Sequence, residues 1–115
     1  MGSGTGPATP LPEAIAAYFA AANAGDSGTL ARCFTADAVV RDEGHEFRGT
    51  LGIRGWKEET DKKYRPAFEA TAVREERGST IVTTRVSGDF PGSPILLDFI
   101  FRLRDGRVAS LEIRS

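Results

Sequence analysis

Cysteine, histidine, methionine and tryptophan each occur once in these 115 residues. The lone Cys33 excludes an intrachain disulfide and any cysteine-built zinc cluster, and it fits a reducing, cytoplasmic setting. The lone His45 has no second histidine or nearby cysteine with which to complete a metal site. Long apolar runs are missing too. No stretch approaches the roughly 18 residues of a membrane span, and no charged-then-apolar signal opens the chain. Excess charge of one sign is also lacking: 15 Lys and Arg stand against 16 Asp and Glu. With no basic run, a nucleic-acid partner is not expected. The sequence holds no G-x-S-x-G, phosphate-loop or dinucleotide fingerprint, so those chemistries have no support and no cofactor is implied.

What is present is enough apolar sequence, 40% of the residues, for one domain with a real core. Residues 1–10, rich in Gly, Ser, Thr and Pro, read as a flexible leader, and 11–115 as a single domain. Helical patterning comes first and strand patterning second, which points to an α+β fold. Helix one should start at Pro10 or Pro12, where a proline costs no hydrogen bond. Its stripe is Ile15, Phe19 and Ala22, and Gly25 ends it. Asp26 can cap a short second helix, on which Leu30, Cys33 and Phe34 share a face. Ala38–Asp42 reads as a strand and Glu43–Glu46 as a polar loop. Thr50 is a candidate cap for a third helix with the inner stripe Ile53, Trp56, Thr60 and Tyr64, stopped before Pro66. Strands are expected at about 67–76, 79–89, 94–103 and 107–114, joined as an antiparallel meander.

The register of the last three strands follows from their turns. A two-residue loop at Pro91-Gly92 sets Val86 opposite Leu97, Thr84 opposite Phe99 and Val82 opposite Phe101. A three-residue loop at Arg104-Asp105-Gly106 sets Leu97 opposite Ile113, Phe99 opposite Leu111 and Phe101 opposite Ala109. One face is then almost wholly apolar: Val82, Thr84, Val86, Leu97, Phe99, Phe101, Ala109, Leu111 and Ile113. A two-residue loop at Asp105-Gly106 would turn Glu112 and Arg114 onto that face, because a one-step slip inverts every side chain. The opposite face mixes charges with Ile81, Ile100 and Val108. Pattern alone does not distinguish a solid core from a lined cavity.

The run from Tyr18 to Trp56 has an order of motifs beyond composition. An aromatic on helix one precedes N-A-G-D, then F-T-A-D-A-V-V-R-D, then F-R-G-T-L-G-I-R-G-W; the chain closes on F-R-L-R-D-G-R-V-A-S-L-E-I. In this it resembles the SnoaL-like, ketosteroid-isomerase-like branch of the nuclear transport factor 2-like superfamily, over roughly residues 11–115. The resemblance implies a cone, a curved antiparallel sheet wrapped around helix one, with a pocket between sheet and helices. It also implies a homodimer through the outer sheet face. It says little of function, because the fold hosts isomerases, cyclases, hydrolases, dehydratases and plain binding proteins.

The resemblance singles out Asp42 as a proton-shuttling base and Tyr18 as a hydrogen-bond donor to a developing enolate. The pocket wall would come from Phe99, Phe101, Leu111, Ile113, Trp56, Val82, Thr84 and Val86, with Asp42 and Tyr18 at the mouth. Each has a plainer reading: Asp42 as the start of a solvated loop, Tyr18 and Trp56 as packing residues, His45 as an exposed loop residue. Two departures stand out. The second acid of such isomerases falls on Phe99, and a supporting tyrosine falls on Lys57. Asp98 lies next to Phe99, but the register turns it outward toward Arg85, a salt pair rather than part of an Asp-Arg-Asp hydrolase set. The expected partner is a small hydrophobic molecule. The expected activity is isomerase- or cyclase-type proton transfer, and the alternative is a non-catalytic binding or dimerisation module.

Overall fold

A computed structural model describes residues 10–115; apart from Pro10, the expected leader lies outside them. The order of elements is α1 (Glu13–Ala24), α2 (Ser27–Arg32), β1 (Phe34–Asp42), β2 (His45–Arg48), α3 (Gly49–Tyr64), β3 (Ala67–Glu76), β4 (Ser79–Ser87), β5 (Ile95–Arg104) and β6 (Arg107–Arg114). The six strands form one curled sheet in the order β2-β1-β6-β5-β4-β3. All neighbours are antiparallel except β1 and β6, which run parallel.

The helices begin and end where local chemistry places them. Pro12 is the N-cap of α1, and Gly25, in the left-handed conformation, closes it. The Asp26 carboxylate accepts from the Thr29 backbone N–H at 3.1 Å and caps α2. Thr50 does not cap α3. That helix starts at Gly49, whose φ of 72° turns β2 directly into it. Phe34 begins β1 rather than continuing α2, so β1 is longer than the expected Ala38–Asp42 segment.

The sheet face is as expected but its pairings are not. Val82 pairs with Phe99, Thr84 with Leu97 and Val86 with Ile95. Phe99 pairs with Ile113 and Phe101 with Leu111. Both ladders are displaced by two residues from the expected register, and a shift of two leaves the side chains on their original face, save around Ala109. The causes lie in the loops. Pro91-Gly92 does form a turn, in which the Ser93 N–H donates to the Phe90 carbonyl and Gly92 has φ 87°. That turn sits inside a longer connection, residues 88–94, between β4 and β5. The β5–β6 turn is the two-residue Asp105-Gly106, both at positive φ, as a type I′ hairpin requires. A bulge restores the parity: Arg102 pairs with Ser110 and Leu103 with Val108, leaving Ala109 as the extra residue.

The bulge also corrects the place of Val108. It belongs to the core, fully buried, and not to the outer face with Ile81 and Ile100. Glu112 pairs with Ile100 and stays outside. Asp98 faces outward as expected, but its partners are Thr83 (3.1 Å) and Arg74 (3.4 Å); Arg85 pairs with Leu96 instead.

Candidate active site

The buried stripe of α1 comprises Ile15, Tyr18, Phe19, Ala21 and Ala22. Tyr18 is three residues after Ile15 and therefore on the same helix face. It is 1% exposed, so it lies in the core and not at a mouth. Its ring meets Phe19, Phe34, Phe99 and Phe101 edge-on, with centroids 5.2–6.3 Å apart. This aromatic cluster is part of the hydrophobic core between α1 and the sheet. Phe101, Leu111, Val82 and Thr84, expected on the pocket wall, are each at most 1% exposed and are packed into the same core.

A cavity of about 180 Å³ opens beside this core, with Phe99 common to both. Of the expected wall residues, Val86, Phe99 and Ile113 line it. Asp42, at the end of β1, stands at its edge with Glu43. The remaining wall comes from residues that the sequence reading did not select: Thr60 and Tyr64 of α3, Pro66 and Phe68, Phe90 of the β4–β5 loop, and Ile95 and Leu97 of β5. The loop is tied down where Asp89 N–H donates to the Tyr64 carbonyl at 2.7 Å. Phe90 then meets the Tyr64 ring edge-on, with centroids 5.8 Å apart. A signal was available for Tyr64, which is on the α3 stripe, but none for Phe90 within a turn of unknown length.

Asp42 is partly buried, and its carboxylate Oδ2 accepts a hydrogen bond from Trp56 Nε1 at 3.0 Å. Burial raises its pKa above the usual carboxylate value, the Trp56 N–H works against that rise, and the nearby Glu43 charge adds to it. A carboxylate held at one oxygen, in a partly desolvated edge position, can accept a proton and give it back. Tyr18 is different: burial pushes its hydroxyl far above the ordinary range, and the Asp42 charge pushes it further. Trp56 is almost wholly buried and forms part of an adjoining groove with His45 and Phe47. His45 is exposed, opposite Asp42 in the β1–β2 hairpin.

Lys57, at the position where the resemblance expects a supporting tyrosine, is 2% exposed. Its ammonium pairs with Asp61 at 2.5 Å and lies 5.1 Å from the Phe68 ring centroid. The buried ammonium is paired with the partly exposed Asp61, and Lys57 is not among the residues that line the cavity. Among the described residues, no group of three His, Cys, Asp or Glu could hold a metal ion, and no helix is long and apolar enough to cross a membrane.

The SnoaL-like domain family matches residues 15–111. The chain belongs to the SnoaL-like family. A crystal structure of a candidate polyketide cyclase from Sinorhizobium meliloti is 36% identical, covers 90% of this chain and 95% of its own, and superposes with a TM-score of 0.87. A protein of ketosteroid isomerase-like fold from Catenulispora acidiphila, solved with trimethylamine, is 22% identical over 92% of this chain and 87% of its own, with a TM-score of 0.81. SalBIII, an epoxide hydrolase/cyclase-like enzyme of pyran ring formation in salinomycin, is 19% identical over 89% of this chain and 87% of its own, with a TM-score of 0.75. The last two likenesses are of fold alone. Among curated proteins the SnoaL-like chain has no significant match.

Proposed function

We propose that this SnoaL-like protein is a cyclase- or isomerase-type enzyme in which Asp42 moves a proton on a small, carbon-rich carbonyl compound. The observation that carries the reading is the Asp42 carboxylate itself: partly desolvated, held by Trp56 and set at the edge of an apolar cavity. Apolar walls supply the affinity. Trp56 occupies Oδ2, which leaves Oδ1 as the oxygen that takes a proton from carbon next to the carbonyl. The resulting carboxylic acid then returns the proton to a neighbouring position. The likeness to the Sinorhizobium meliloti protein supports a cyclase-type reaction. Tyr18 contributes packing against Phe99 and Phe101 in this reading, since its ring is enclosed by the core.

The test is deuterium incorporation from D2O next to the carbonyl of 4-phenylcyclohexanone, followed by proton NMR. Asp42→Asn should slow exchange by about 10²- to 10⁴-fold while affinity for the ketone changes far less. Exchange no faster with the wild-type protein than in buffer would overturn the catalytic reading. Binding without exchange would leave the second reading, a non-catalytic module for a hydrophobic ligand. That second reading is favoured by Phe99, an apolar ring where the resemblance expects a second acid.

A further inference from the structure

The cavity beside Asp42 is small. At about 180 Å³ it falls below the roughly 300–1,000 Å³ of ordinary small-molecule sites. A second depression of about 460 Å³ lies between α3 and the β1–β2 hairpin, and it shares Asp42, Glu43, Thr60 and Tyr64 with the first. Two features of α3 keep it open. Gly52 and Gly55, three residues apart, both face the groove. A Cβ at Gly55 would meet nothing within 4 Å. Glycine inside a helix destabilises it relative to alanine, so two on one face weaken the helix where it borders the opening. Leu51, at the groove's edge, is 82% exposed, the most exposed large apolar side chain among the described residues.

We infer that this groove is the outer half of the ligand site, and that the substrate is an elongated, neutral, carbon-rich molecule that straddles Asp42. The inference rests on the proton-transfer reading for which carbon reacts, but the occupancy of the groove stands apart from it. The inner cavity takes the reacting ketone end, and the groove takes a second ring or an equivalent apolar segment against Leu51 and Phe47. The rim chemistry selects against an anionic tail. Asp42, Glu43 and Glu59 outnumber Lys63, and the other titratable groups there are the His45 imidazole and the Tyr64 phenol.

The test uses two ketones with the same head, 4-phenylcyclohexanone and its para-biphenyl analogue, with affinities measured by calorimetry on the whole protein. The longer ketone should bind about tenfold more tightly, the gain expected from burying one further ring. Gly55→Leu, which fills the groove and suits a helix better than glycine, should bring the ratio of the two dissociation constants close to one. Amide signals of Gly52 and Gly55 should shift with the biphenyl ketone and much less with the shorter one. A ratio unaltered by Gly55→Leu, equal affinities in the wild type, or no binding of either ketone would each overturn the proposal. Preserved binding preference without proton exchange would instead sink the catalytic reading alone.

Discussion

Burial and one hydrogen bond act on the candidate base in opposite directions, and burial is the stronger. Desolvation at Asp42 favours its protonated form, and the Trp56 N–H favours its charged form. Trp56→Phe keeps an aromatic ring in place and removes only the donor. The Asp42 pKa, already above its usual 3.8, should then rise further. A base works only when deprotonated, so the acidic limb of the exchange rate against pH should move to higher pH in this variant. Titration of the Asp42 carboxyl carbon by NMR checks the same shift without any substrate. An unmoved titration would mean that the indole does not hold the carboxylate in solution.

At the scale of elements, the β4–β5 connection shapes the inner cavity. Gly88 opens this connection against the end of α3, and a Cβ there would come within 2.6 Å of the Tyr64 carbonyl oxygen and 3.2 Å of the Phe90 ring. Backbone must move to admit it. Gly88→Ala should therefore lower stability by about 1–3 kcal/mol and weaken ketone binding as Phe90 is displaced. Gly55→Ala provides the contrast. Its Cβ meets open space, and the helix should gain roughly 0.5–1 kcal/mol. Thermal unfolding of the two variants would therefore shift in opposite directions; a shared direction would contradict this account of the two glycines.

For the whole molecule, the outer sheet face is the surface proposed for pairing with a second copy. After Val108 is assigned to the core, its apolar residues include Ile100 and Leu96, the latter 61% exposed, over the buried Ile81. Charged Arg74, Asp98, Glu112 and Arg114 surround them, a polar rim around an apolar centre. Sedimentation at tens of micromolar, on the order of a moderate affinity, should show a dimer that Ile100→Glu dissociates. A wild-type monomer at that concentration would refute the interface. The groove and the cavity lie elsewhere, at the β1–β2 hairpin and the end of α3, so ligand binding should survive the substitution.

Periodicity and turn chemistry were sufficient for the α+β class, the limits of α1, the Asp26 cap and the apolar sheet face, because each depends on neighbours a few residues apart. The motif order was sufficient for the family. The exact pairings were not legible. They depend on a seven-residue connection and on a bulge at Ala109, and both offset register without altering which residues alternate. The fate of Tyr18 was likewise hidden: stripe spacing admits it to the core, but only the packed Phe34, Phe99 and Phe101 show that no opening reaches it. Asp42 could be nominated from its place at a strand end. Its bond to Trp56, 14 residues away on another element, exists only because α3 folds back over the β1–β2 hairpin. Local sequence settles which residues alternate and where helices stop. Tertiary packing settles which side chains meet and where space remains, because those depend on distances between elements that no local pattern encodes.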